Sequence, residues 1–279
     1  MSGRQGSSST SRSTARGRSG WRLRGASVAV GVGVVAVGLL ASGCGNSADE
    51  DKDPETRSFA LGGRTLTVDS DDSALEFVVG DVDDVQVTRW FKASVAIGKD
   101  PEISWSMEKG AKGGKGDTLK LRVHCSGVVA DCSAKHRIVV PRGVALTVKD
   151  QDGSVRATGF KEGLDIRAAD GSVRVEDVSG RLTLRTEDGS VHASGIGSRR
   201  VEVNTQDGSA RLEFASVPDR VSARGQDGSL TIGLPDATYR VTTGAQDGSV
   251  DVSVPRDNSS SHVVSAHTQD GKVTVRTAN

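Results

Sequence analysis

The residues best placed to do chemistry are seven aspartates, each followed by glycine: Asp152, Asp170, Asp188, Asp207, Asp227, Asp247 and Asp270, separated by 18, 18, 19, 20, 20 and 23 residues. Carboxylates at such regular intervals offer three chemistries. Each can fold back onto the N–H groups of its own turn while the glycine supplies a positive φ. If the units stack, the column can instead collect cations, and Ca²⁺ takes all-oxygen sets of this kind. Paired carboxylates could also serve as the acid and base of a polysaccharide lyase or hydrolase. That third use needs environments that drive two pKa values apart, and a uniform column supplies the reverse. Calcium-binding β-rolls carry a GGxGxD nonapeptide, which is absent. Turn formation is the leading reading, calcium is the alternative cofactor, and no catalytic residue is assigned.

Cysteines offer a second set of reactive groups. Residues 1–43 hold six arginines and no acid, followed by fifteen uncharged residues from Ala26 to Leu40. This is the layout of an export signal, and the apolar stretch is shorter than the roughly 20 residues of a membrane-spanning helix. Leu40-Ala41-Ser42-Gly43-Cys44 resembles a bacterial lipobox, which implies cleavage before Cys44 and lipidation of its thiol, anchoring the chain to the outer face of the cytoplasmic membrane. Residues 44–58 then form a charged, flexible tether. In an exported chain Cys125 and Cys132 are expected to pair as a disulfide. Zinc is the alternative, because His124 and His136 flank the pair, but six residues separate the cysteines where zinc sites usually have two to four.

Other catalytic patterns fail. The five histidines (124, 136, 192, 262 and 267) form no HExxH, and no GxSxG precedes a helical segment. Lys109–Gly116 is glycine- and lysine-rich but lacks Walker spacing, so it reads as a hairpin tip. The overall charge is zero, yet beyond residue 43 there are 30 basic and 36 acidic residues, which argues against a nucleic-acid partner. With nine aromatic residues in 279, a large aromatic-lined pocket is also disfavoured.

The elements that carry the aspartates follow from the residues at fixed offsets. Three and five positions after each Asp the side chain is always apolar, from Val155 and Ala157 in the first unit to Val273 and Val275 in the last. Six and four positions before it the same holds, from Leu146 and Val148 to Val264 and Ala266, with Thr243 the exception. Polar residues alternate with them, so each Asp-Gly joins two strands that bury one face. A further apolar residue (Phe160, Val178, Ile196, Phe214, Leu234, Val254) plugs the far corner of six units. Asp-Gly also suits a type I′ hairpin, so an antiparallel meander is possible. A parallel solenoid is preferred because Ser follows the Asp-Gly in six units and Gln precedes it in five, and stacking gives those neighbours identical partners.

These repeated D-G-S-V units behind a lipoprotein-type signal resemble the DUF4097 family of adhesin-like, β-strand-repeat surface proteins, specifically from residue 146 onward and more loosely from 66. The resemblance implies an all-β, right-handed parallel β-solenoid of seven to eight coils of 18–23 residues, with no enzymatic activity. Residues 144–279 form the solenoid, and 59–143 form an irregular β region that caps it and includes a degenerate coil around Asp72. The coil of Asp270, last in the chain, is expected to leave an open strand edge where a second copy could pair. Loop 255–262, which holds Ser259 to Ser261, is the expected partner-reading loop. The leading function is non-catalytic binding or display at the cell envelope, with a wall polymer or surface protein as partner. Alternatives are a self-assembling solenoid that stacks end to end in the bactofilin manner and an envelope-stress or signalling accessory.

Overall fold

The structure is a computed structural model that describes residues 47–110 and 116–278, all within one compact unit spanning Cys44–Asn279. The export signal, Cys44 and the middle of the 109–116 loop lie outside the described residues. The N-terminal strands are β1 (Glu55–Phe59), β2 (Thr65–Asp72), β3 (Ala74–Gly80), β4 (Val85–Gly98), β5 (Glu102–Glu108), β6 (Asp117–His124) and β7 (Gly127–Pro141). The repeats supply long strands β8 (Ala145–Asp152), β10 (Leu164–Asp170), β12 (Leu182–Asp188), β14 (Arg200–Asp207) and β16 (Arg220–Asp227). Each is followed across its Asp-Gly corner by a short strand: β9 (Val155–Thr158), β11 (Val173–Glu176), β13 (Val191–Ile196), β15 (Ala210–Phe214) and β17 (Leu230–Leu234). Finally β18 (Arg240–Val252) and β19 (Val263–Thr277) run through their corners without a break.

The repeat strands pair only in parallel, with Leu146, Leu164, Leu182, Val201, Val221 and Val264 stacked in one column. A hairpin meander would pair them antiparallel, so the chain is a β-solenoid. A single coil has no partner for its apolar face; stacking puts Val148, Ile166, Leu184 and Val203 opposite Ala157, Val175, Ala193 and Leu212 in one continuous core, all fully buried. The corner plugs Phe160, Val178, Ile196, Phe214, Leu234 and Val254 are buried as well. Lengthening of the repeat falls between the short strand and the next long one, so the core register is untouched.

The end of the stack differs from expectation. β19 lies between the β16–β17 coil and β18, paired in parallel with both. The open edge therefore belongs to β18, the coil of Asp247, and not to the last coil of the chain. Burial explains the exchange. β19 brings Val264, Ala266, Val273 and Val275 fully into the core, whereas β18 has Thr243 at an inward position and leaves Val250 43% exposed. The segment 253–262 carries the chain back, and Tyr239 holds it: its ring is buried, its O–H donates to the Pro235 carbonyl at 2.9 Å, and its backbone brackets Pro255 and Asp257.

The N-terminal end is permuted in the same sense. β2 and β3 pair in parallel with β8 and β9 on one side, and with β6 and the second half of β7 on the other. The degenerate coil around Asp72 is thus the second layer, and β6–β7 is the outermost. Cys125 and Cys132 form a disulfide at the corner between β6 and β7, so neither sulfur is free as a zinc ligand, and His136 is buried beside Trp105 instead. Antiparallel β4, β1 and β5 cover this end. Asp117 stitches the cover together by accepting from the Gly62 and Gly110 N–H groups and from Lys109, contacts that hold its carboxyl below the usual range.

At the corners, a Cβ built on Gly171, Gly189, Gly208 or Gly228 would lie 1.8–2.1 Å from the carbonyl oxygen of the glycine one coil below. Gly208→Ala should therefore destabilise the fold by at least about 3 kcal/mol. Gly159→Ala should cost only about 1 kcal/mol, since Gly159 shares a positive φ of 81° but a Cβ there meets nothing within 4 Å. Urea unfolding of the two variants measures the difference.

Candidate functional site

The pairings order the carboxylates along one edge of the solenoid as Asp72, Asp152, Asp170, Asp188, Asp207, Asp227, Asp270 and Asp247, the last two exchanged relative to the sequence. Among the described residues no hydrogen bond joins the seven predicted carboxylates to the N–H groups of their own turns. The corners are held between coils instead: the N–H of Gly171, Gly189, Gly208 and Gly228 donates to the backbone carbonyl of the Asp in the next layer at 2.9–3.0 Å. The side chains thus remain exposed and face one another. Asp170 is held above the usual carboxylate range by a hydrogen bond with the Asp152 carboxyl, and then by desolvation and the charge of Asp152. Asp188 and Asp227 are raised by desolvation and then by the charges of Asp207 and their other column neighbours. Among the described residues, no three His, Cys, Asp or Glu side chains converge as metal ligands.

Next to this column, on the outer face of the long strands, runs a groove that the sequence reading missed. Its volume is about 690 Å³, and a further recess of about 340 Å³ extends it past Gly244 and His267. One wall is a row of side chains three residues before each Asp: Lys149, Arg167, Arg185, Asn204 and Arg224. The other is the row immediately before the Asp, where Ala169 and Glu187 are followed by Gln206, Gln226 and Gln269 in successive layers. Arg167 is paired with Asp165 at 3.0 Å, and Arg185 with Glu202 at 3.1 Å. Lys149 and Arg224 have no acidic partner among the described residues, and Arg224 only donates to Ser222 at 3.0 Å. The repeat therefore builds a polar trough, largely cationic on one side and, beyond Ala169 and Glu187, amide-lined on the other, with positions recurring at the layer spacing of about 4.8 Å.

The floor of the trough ends at Asp150. This residue occupies the inward position that Ala168, Thr186, Thr205, Gly225 and Thr268 fill in other layers. Its carboxylate is buried, and neither oxygen has a hydrogen-bond partner. Burial, with the charges of Asp152, Asp72 and Asp71, pushes its pKa up to about 7, which the nearby Ser70 hydroxyl only partly offsets. An acid at this column position is a departure from the repeat visible in the sequence. The predicted loop 255–262 packs back on the chain through Tyr239, Ser260 and His262.

The pattern of the Toastrack DUF4097 family matches residues 46–279, the tether and the whole solenoid. The chain belongs to this family. No curated protein matches it. Among solved structures the chain is similar to a "putative cell adhesion protein" from Clostridium sporogenes ATCC 15579, at 14% identity and a TM-score of 0.39, covering 81% of this chain and 99% of that one.

Acid titration separates two buried groups in this Toastrack domain. Asp150 binds its proton more tightly folded than unfolded, so its contribution is full below about pH 4 and is lost as pH rises through about 7. Burial pushes His136 down to about 4, so its contribution is present above about pH 6.5 and is lost as pH falls toward 4. In chelator-containing buffer, Asp150→Asn should abolish most of the fall in melting temperature between pH 5 and pH 8. An unchanged profile in thermal melts would remove Asp150 as its source.

Proposed function

We propose that this protein is a non-catalytic binding module of the bacterial envelope, lipid-anchored through Cys44 and displayed beyond the cytoplasmic membrane on the 44–58 tether. The polar trough along the solenoid is its contact surface, and an extended, anionic cell-wall polymer is its partner. The observation that carries this reading is the repetition itself. Lys149, Arg167, Arg185 and Arg224 stand on one wall, interrupted by Asn204, and Gln206, Gln226 and Gln269 stand in three successive layers of the other, so a polymer lying along the axis meets recurring cationic and amide contacts. A trough open along its length suits a chain better than a small molecule, which is usually enclosed. The family match supports an adhesin-like role for the solenoid, and the lipobox-like Leu40–Cys44 supports the anchor.

A second reading, end-to-end self-assembly, is favoured by the open outer edge of β18, a 13-residue strand that pairs with no strand but β19 among the described residues. Elution volume that shifts with concentration on a sizing column would support it, and an invariant volume is expected under the leading reading.

Soluble Gly45–Asn279 should co-sediment with isolated walls that carry their anionic polymers and lose that binding when the polymers are stripped. Lys149→Ala with Arg224→Ala should weaken the interaction at least tenfold, about 1.4 kcal/mol, without changing the melting temperature. Equal binding by the double variant would reject the trough as the contact surface. In the producing cell, Cys44→Ser should move the protein from the membrane to the soluble fraction.

A further inference from the structure

We propose that Ser70, Ser73 and Asp150 form a buried site for a hard divalent cation of the calcium class, at the N-terminal end of the aspartate column and distinct from it. Two departures from the repeat meet there. Ser73 stands where the seven later units have glycine, and Asp150 stands where the six units after its own have Ala, Thr or Gly. Ser70 and Asp150 are direct ladder neighbours in β2 and β8. Ser70, Ser73 and Asp150 are 1%, 4% and 5% exposed, and all four of their side-chain oxygens lack a hydrogen-bond partner.

Gly153 lets these groups approach one another. A Cβ built on it would lie 2.2 Å from the Ser73 carbonyl oxygen and 3.0 Å from Asp150 Oδ2, so both oxygens crowd the same side of its Cα. One carboxylate, two hydroxyls and a main-chain carbonyl form an all-oxygen set, which calcium accepts and completes with water; zinc would want nitrogen or sulfur. The local charge favours a cation. Asp71, Asp72 and Asp152 act on Asp150, and the nearby Arg122 is engaged with Asp69 at 2.9 Å and Asp71 at 3.5 Å. No basic side chain pairs with Asp72, Asp150 or Asp152 among the described residues, so the buried carboxylate has no counter-ion of its own. This assignment does not rest on the trough or its polymer.

The test is calorimetric titration of chelator-stripped Gly45–Asn279 with CaCl₂ at pH 8, with thermal melts of the same samples in matched ionic strength. The expected result is one calcium per chain and a rise in melting temperature of several degrees at saturation. Asp150→Ala, which installs the residue of the next layer, should abolish both while melting above the wild type in chelator. Ser73→Gly should weaken binding at least tenfold and keep the fold, and Asp207→Asn with Asp227→Asn should leave binding intact. Absence of heat and of any shift for the wild type at millimolar calcium would overturn the site. So would binding that survives Asp150→Ala or disappears with the Asp207 and Asp227 changes.

Discussion

The close approach of one glycine carbonyl to the next glycine at the Asp-Gly corner is the contact on which the rest of the solenoid depends. A side chain there would occupy the position of the neighbouring carbonyl oxygen, so the layers could not approach to hydrogen-bonding distance. Once the corner is fixed, the strands on either side are in register for the whole stack, and the apolar residues at constant offsets fall into continuous columns. Everything variable is displaced to the opposite corner, where spacing grows without disturbing the ladders. The carboxylates pay for this regularity by facing one another: Asp170, Asp188 and Asp227 hold their protons more tightly, through a hydrogen bond to Asp152 for the first and desolvation and then neighbouring charge for the other two.

Both ends of the stack solve the problem of a terminal layer in the same way. The first solenoid coil, β2–β3, and the last, β19, are each held between two parallel neighbours, while coils from the chain interior, β6–β7 and β18, take the outer positions. An outermost strand is paired on one side only and frays most readily. Placing the first and last coils of the repeat one layer inward gives them ladders on both sides. At one end the outer layer is covered by β1, β4 and β5 and closed by the disulfide; at the other, β18 stays open.

Much of this was legible in the residues. Constant apolar offsets about each Asp gave the two strands, their inward faces and the plugs, because period-two alternation is a direct image of burial. The preference for a stack over hairpins came from the recurrence of Gln and Ser beside the turn. The order of the layers at each end was not legible, since offsets are identical whichever neighbour a coil adopts; only Thr243 and the long 253–262 segment hinted that β18 was the weaker core layer. The trough was also missed. Its walls are polar residues of differing type, and they become rows only when the register is known. Asp150 could have been found, since an acid in an inward column of small residues breaks the repeat.

The central claim is the in-register parallel stack with β19 inserted before β18, and cysteine cross-linking tests it most directly. In the stack Ser229 is a lateral neighbour of Lys272, and Lys272 separates it from Ser249. With Cys125 and Cys132 retained, Ser229→Cys with Lys272→Cys should oxidise to a second disulfide within the monomer, because adjacent strand positions lie within bridging distance. Ser229→Cys with Ser249→Cys should not. Cross-linking of the second pair and not the first would mean that the layers follow chain order, and the permuted end would be wrong.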